Sequence, residues 1–83
     1  MKGERAIGWL EVDKMIAAAL INDGFRDEFT RAERSQIGKL KYQGASFAPT
    51  VKVTITLARI IAANQGDLRA IVAQVAEEQN KGR

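Results

Sequence analysis

The sequence contains no cysteine and no histidine among its 83 residues. This absence excludes disulfide bonds, thiol chemistry and the usual zinc ligands, and it removes the commonest general base. Ser35 and Ser46 therefore have no histidine to activate them as nucleophiles. A chain without cysteine also fits a reducing compartment, so we expect a cytoplasmic protein.

Long apolar runs, phosphate-binding loops and acidic metal loops are missing as well. The longest uncharged stretches are far shorter than the ~20 residues that span a bilayer, so no membrane partner is expected. The turn glycines Gly44 and Gly66 are isolated and do not form a phosphate loop. Asp23, Asp27 and Glu28 lack the alternating oxygen ligands of a calcium loop. These absences predict a protein that is not an enzyme and that uses no cofactor or metal.

The chain is long enough for a single domain over residues 1–83, with ends at 1–6 and 80–83 that we expect to fray. Its content of 46% hydrophobic and 28% charged residues is typical of a globular protein. The core must be modest at this length, so each apolar helix face matters.

The most apolar stretch covers residues 49–64. As a helix it has a narrow polar stripe of Lys52, Thr56 and Arg59, and its apolar residues cover more than half of the circumference. These are Val51, Val53, Ile55, Leu57, Ala58, Ile60, Ile61 and Ala62. The pattern predicts a central helix that is buried on most sides.

A strand is the alternative for this stretch, because residues 51–57 also alternate between β-branched or apolar side chains and polar ones. It would give a small α+β fold with a two-stranded pairing of residues 5–12 and 50–57. The helix is favoured because the run continues to Ala63 without a turn signal.

Three further helices are predicted around this one. The first runs from about Ile7 to a stop at Gly24, and residues 26–29 connect it to the second. The second begins with a capping box at Thr30 and Glu33 and ends near Tyr42. Gly38 inside it is expected to mark close approach by the central helix. A corner at Gly66 and Asp67 leads to the last helix. The sequence thus predicts an all-α, compact four-helix domain with a buried central helix.

Positive charge is concentrated in the middle of the chain. Residues 31–59 carry six basic side chains and one acidic one, a net charge of plus five, whereas residues 1–30 carry four basic and six acidic ones, a net of minus two. A local excess of this kind favours contact with phosphates.

Residues 36–56 resemble a helix-turn-helix, with a helix ending at Gly44, a turn at Ser46 and a second helix bearing Val53 at a packing position. The resemblance implies binding to DNA, in which a helix reaches base edges and flanking cations contact phosphates. The predicted nucleic-acid-binding residues are Lys39, Lys41, Lys52, Thr56 and Arg59. The function predicted first is that of a small regulatory protein that binds nucleic acid.

A protein partner is the alternative. Residues 57–79, with an Asn-Gly-Asp type corner at 64–67, are locally similar to the last two helices of ubiquitin-associated domains, which implies a small binding module. The adaptor interpretation predicts docking through an apolar helical surface with Trp9, Phe25 and Phe47 at the interface, and a possible homodimer. A tryptophan on a helical apolar stripe is more often a core residue, so exposure of these aromatic side chains decides their role.

Overall fold

The computed structural model describes residues 2–81, with side chains from Gly8 to Lys81. It contains five helices and one small hairpin. These are α1 (Lys2–Ile21), α2 (Asp23–Thr30), α3 (Arg34–Ile37), β1 (Lys41–Tyr42), β2 (Ala45–Ser46), α4 (Val51–Ala63) and α5 (Leu68–Lys81). The predicted frayed ends are partly helical here, since α1 begins at Lys2 and α5 ends at Lys81; Met1, Gly82 and Arg83 lie outside the described residues.

The predicted all-α class is confirmed as a mostly helical fold, with five helices instead of four. Residues 51–63 of the apolar stretch form a helix rather than a strand. A two-stranded antiparallel sheet is present, as in the α+β alternative, but it pairs Lys41 with Ser46 and Tyr42 with Ala45. Residues 5–12 lie in α1, and residues 51–57 lie in α4, so the pairing of 5–12 with 50–57 is not formed.

The predicted end of the first helix at Gly24 is wrong, because a second helix is capped two residues earlier. The side-chain oxygen of Asn22 accepts a hydrogen bond from the Phe25 backbone N–H at 2.8 Å. Asn22 is therefore the N-cap of a new helix, α2, which contains Gly24 and the predicted connector 26–29. Two helices thus replace one helix and a loop.

The second predicted helix, from Thr30 to about Tyr42, is also wrong. The Thr30 hydroxyl donates to the Arg26 carbonyl at 2.8 Å, which places Thr30 at the end of α2 rather than at a helix start. The capping box lies instead at Glu33, whose N–H donates to the Gln36 side chain at 2.8 Å, and it opens the short helix α3.

A tight turn converts the rest of that segment into a hairpin. Gln43 and Gly44 have φ angles of 53° and 82° and form a two-residue loop between β1 and β2. Positive φ at both central positions is typical of a type I′ turn, which suits the twist of paired strands. The chain therefore reverses direction at Gly44 instead of ending a helix there.

Helix α4 begins at Val51 and not at Pro49, the start that the sequence predicts. Thr50 is its N-cap, and the Thr50 hydroxyl oxygen accepts a hydrogen bond from the Val53 N–H at 3.2 Å. The helix buries one face, formed by Val53, Leu57, Ile60 and Ile61. The expectation that this helix is buried on most sides is wrong, because Val51 is 72% exposed and Ile55 is 38% exposed. The neighbouring elements cover only one side of α4.

The hydrophobic core joins all five helices. Its largest fully buried side chains are Val12, Met15, Phe29, Ile37, Leu57, Ile61, Ile71 and Val75. Helix α1 packs against α2 and α5, and α4 packs against α3 and α5. Within the described residues, no helix is both long enough and apolar enough to cross a bilayer.

Of these two glycines, Gly8 in α1 and not Gly38 is approached closely by another helix. A Cβ atom on Gly8 would lie 2.7 Å from Val53 Cγ2 and 2.9 Å from the Thr50 hydroxyl oxygen. A Cβ atom on Gly38 would meet nothing within 4 Å. Gly8 is thus the residue that lets the beginning of α4 pack on α1.

Substitution of Gly8 by alanine tests this contact. We expect Gly8→Ala to lower the free energy of unfolding by about 1–2 kcal/mol, because overpacking outweighs the better helix propensity of alanine. Gly38→Ala is the matched control and should stabilise by about 0.4–1 kcal/mol, since φ is −70° and the space is open. Urea unfolding measures both, and equal stability of the two variants would contradict the close approach at Gly8.

Candidate nucleic-acid interface

The outward face of α4 carries two of the predicted cations. Lys52 and Arg59 are both exposed, and a separation of seven residues puts them on the same side of the helix, roughly 10 Å apart along its axis. The exposed side chains Val51 and Ile55 lie beside them. The face therefore combines positive charge with apolar contact area.

Threonine hydroxyls on α4 are held by the helix itself. Thr56 donates its hydroxyl to the Lys52 carbonyl at 3.1 Å, and Thr54 donates to the Thr50 carbonyl at 2.8 Å. Each hydroxyl oxygen keeps lone pairs that can accept a hydrogen bond. Thr56 is partly exposed, so it can accept a hydrogen bond from an amino group at the surface of α4.

The other two predicted cations follow α3. Lys39 lies in the turn after this helix, and Lys41 is the first residue of β1; both side chains are exposed. They are carried by the α3–hairpin segment and not by the helix that carries Lys52 and Arg59. The predicted cations thus form two groups.

A cleft of about 580 Å³ lies where α3 meets the beginning of α4. Its lining residues are Glu33, Arg34, Ser35, Pro49, Val51 and Thr54. Arg34 of α3 and Val51, the residue that precedes Lys52, therefore line the same cleft. Arg34 is a basic residue of this region that the sequence prediction omitted. Its position depends on the packing of α3 against α4, for which the sequence carries no local signal.

The cations of residues 31–59 make no ion pair with any described side chain. The ion pairs found among the described residues join Lys14 with Glu11, Arg26 with Asp23 and Lys81 with Glu78. All lie outside this segment. The segment's basic side chains are Arg31, Arg34, Lys39, Lys41, Lys52 and Arg59, and each is exposed. Their charge is available to an external anion.

The helix-turn-helix expected at residues 36–56 is not formed. In that motif a turn of 3–4 residues joins two helices. Here α3 ends at Ile37 and α4 begins at Val51, and the hairpin lies between them. Any contact with nucleic acid must therefore use the outward face of α4 and the α3–hairpin segment in another arrangement.

The aromatic residues predicted for a protein interface lie in or against the core. Trp9 is 8% exposed and Phe25 is 4% exposed, whereas Phe47 is partly buried and packs on the core. The Phe25 ring lies 5.7 Å from the centroids of both Tyr42 and Phe47. These aromatic contacts pack the hairpin and the segment after it against α2. The three aromatic residues therefore do not form an apolar surface that faces solvent.

Glu11 attaches the segment before α4 to α1. One carboxylate oxygen accepts the Ala48 N–H at 3.0 Å, and the other lies 3.1 Å from Lys14 Nζ. The backbone hydrogen bond from Ala48, followed by the hydrogen bond from Lys14, lowers the pKa of Glu11 below its ordinary value. This residue helps to set where α4 begins, and the sequence has no local signal for a partner 37 residues away.

The lowered pKa predicts the pH range over which Glu11 contributes to stability. A carboxyl group with a depressed pKa in the folded state stabilises above its unfolded pKa, and this contribution is lost as pH falls through the folded pKa. We expect Glu11→Gln to be less stable than the wild type at neutral pH, with the difference vanishing in acid. Thermal unfolding across this range measures the effect. The control variant Glu28→Gln replaces an exposed carboxyl group on α2 and should differ less from the wild type in stability. Equal plots of stability against pH for the two variants would contradict the role of Glu11.

Among the described residues, no group of three or more acidic side chains is placed to hold a metal ion. The chain matches no protein-family model, and comparison with curated proteins and with solved structures finds no similar protein. The function is therefore inferred from the exposed residues of this chain alone.

Proposed function

We propose that this protein is a small, non-enzymatic regulatory protein that binds nucleic acid through α4 and the α3–hairpin segment. The observation that carries the proposal is the set of exposed cations in residues 31–59 that have no ion-pair partner among the described side chains. Glu33 is the only acidic residue in this segment. The cytoplasmic location predicted from the sequence is part of this proposal.

The proposed contacts are mainly to phosphates. Arg34 lies on α3, Lys39 in the turn after it and Lys41 on β1, whereas Lys52 and Arg59 lie on α4. Residues of α3 and α4 line the same cleft. Lysine and arginine bind phosphates by charge and hydrogen bonding without reading sequence. Affinity should therefore come largely from the release of counterions.

Limited base recognition is proposed for the outward face of α4. Thr56 lies between Lys52 and Arg59 along the helix, and exposed Val51 and Ile55 lie on the same side. Threonine can hydrogen-bond to base edges, and apolar side chains can contact a thymine methyl group. This helix is the element that we propose to approach a groove of DNA.

Salt dependence of binding tests the proposal directly. Five phosphate contacts predict that affinity falls with a slope of about −4.5 in log K against log salt, or roughly 500-fold between about 50 and 200 mM. Fluorescence anisotropy of a labelled random duplex measures this slope with the purified protein. No binding at the lower salt concentration would refute the proposal.

A protein-binding adaptor is the second candidate, and exposed apolar side chains support it. Leu10, Leu20, Ile21, Val51 and Ile55 are all at least 38% exposed. Several large apolar side chains at the surface of a small domain are typical of an interaction surface when they adjoin each other. A stable complex with a protein partner in the absence of nucleic acid would favour this candidate.

A further inference from the structure

Two surface patches combine exposed apolar side chains with charge of opposite sign. The acidic patch is formed at the junction of α1 and α2 by Leu20, Ile21, Asp23, Asp27 and Glu28. The basic patch is formed on the outward face of α4 by Val51, Lys52, Ile55 and Arg59. The two patches are complementary in both properties.

The apolar part of the acidic patch lies at the end of α1, where Leu20 is 63% exposed and Ile21 is 76% exposed. Asp23 and Asp27 follow on one side of α2, since they are four residues apart. Arg26 pairs with Asp23, while Asp27 and Glu28 make no ion pair with a described side chain. The three acids of the patch and the adjacent Arg26 together give residues 20–28 a net charge of minus two, which is the charge that the patch presents.

The basic patch has a similar composition. Val51 and Ile55 are 72% and 38% exposed, and both side chains lie on the face of α4 that also carries Lys52 and Arg59. No acid is present in α4, so the net charge of the patch is plus two. Pairing of this patch with its own copy would bring like charges together, which disfavours a symmetric α4–α4 contact.

The acidic patch and the first turn of α4 lie at different ends of α1. Gly8 in α1 packs on Thr50 and Val53 at the beginning of α4. Ile21 lies thirteen residues further along α1, which corresponds to roughly 20 Å. The other end of α4 leads to a corner beside α2, where the Gly66 N–H donates to the Thr30 carbonyl at 3.2 Å. The side chains of both patches are exposed in the folded chain, so contact between the patches requires a second copy.

We propose that the protein associates with itself head to tail, with the acidic patch of one copy docked on the basic patch of the next. The net charges of minus two and plus two match, and each patch brings two exposed apolar side chains to be buried in the contact. A contact between two different surfaces leaves one free patch of each kind, so further copies can add. The association is weakened by salt, because its specificity comes from exposed charges.

This association competes with nucleic acid for one surface. Lys52 and Arg59 serve both the docking of a second copy and the proposed contact with phosphates, so a bound duplex excludes the neighbouring copy. This consequence rests on the proposed function, whereas the association itself does not. In the absence of nucleic acid, self-association therefore covers the basic patch.

Charge reversal tests the docking without nucleic acid. One variant carries Asp27→Lys and Glu28→Lys, and the other carries Lys52→Glu and Arg59→Glu; all four positions are exposed. Light scattering at low salt and rising protein concentration should show that the wild-type mass exceeds that of the monomer. Each variant alone should remain monomeric because its two patches have the same sign. An equimolar mixture of the two variants should regain a mean mass at least double that of the monomer.

Circular dichroism confirms that both variants are folded before the comparison. A wild-type protein that stays monomeric at the highest concentration would overturn the proposal. Association of either variant alone to the wild-type extent, or a folded mixture that stays monomeric, would overturn it as well. Because no nucleic acid is present, these outcomes are independent of the salt-dependent binding that tests the proposed function.

Discussion

A protein carrying both Lys52→Glu and Arg59→Glu is expected to bind a random DNA duplex roughly 100-fold more weakly than the wild type, at about 1.4 kcal/mol for each reversed side chain. Both side chains lie exposed on the outward face of α4 and make no ion pair with a described residue. The slope of log affinity against log salt should become shallower by about two, because two phosphate contacts are lost. Fluorescence anisotropy at several salt concentrations measures both changes.

The matched control changes the net charge equally at other sites. Arg26→Glu with Lys81→Glu removes two cations that are already paired with Asp23 and Glu78. Exposed ion pairs contribute about 0–1 kcal/mol, so the control should stay folded. If the control lost as much affinity as the α4 variant, binding would depend on overall charge and the proposed interface would be wrong. Unchanged melting temperatures in both variants show that the comparison concerns binding.

Phe25→Ala is expected to lower the free energy of unfolding by about 3–5 kcal/mol. Phe25 is 4% exposed and its ring stacks on Phe29, with centroids 6.3 Å apart. It also contacts Tyr42 of the hairpin and Phe47 beyond it. Native domains are stable by only about 5–15 kcal/mol, so this loss should remove much of the stability. Urea unfolding by circular dichroism measures the change.

Phe25→Leu is the control for the loss of volume. It keeps most of the apolar bulk, so it should lose less than about 1.5 kcal/mol, apart from the aromatic contacts themselves. The pair also separates two roles for Phe25. A residue that anchors a protein partner would leave stability nearly unchanged when replaced by alanine, whereas a core residue would not. Phe25→Ala with wild-type stability would contradict the core position.

In the C-terminal part of the chain, the bounds of α4 and α5 follow local sequence signals. The apolar run and the cap at Thr50 produce α4, and the Asp67 side chain accepts the Ala70 N–H at 3.1 Å at the beginning of α5. The corner at Gly66 lies between them with φ of 79°. Each of these signals acts within a few residues, so they can be recognised without knowledge of the rest of the fold.

The secondary structure of the segment from Asn22 to Ser46 cannot be recognised from local signals in this way. Asn22 caps a helix where Gly24 was expected to end one, and Thr30 bonds backwards to Arg26 instead of capping forwards. Asparagine, glycine and threonine each suit both ends of helices or turns, so their role depends on the surroundings. The burial of Phe25 and Phe29 resolves this ambiguity, because it requires α2 to be helical and brings the hairpin against it.

By itself, the sequence determined the mostly helical class, the helix over α4, the corner before α5 and the charge of residues 31–59, because periodicity, caps and composition are local properties. Only the tertiary structure decided that α4 is covered on one side and that Arg34 lines a cleft with Val51 of its first turn. It also decided that Gly8, not Gly38, admits a neighbouring helix. These features arise from contacts between residues far apart in the chain, and such contacts leave no periodic pattern in the sequence.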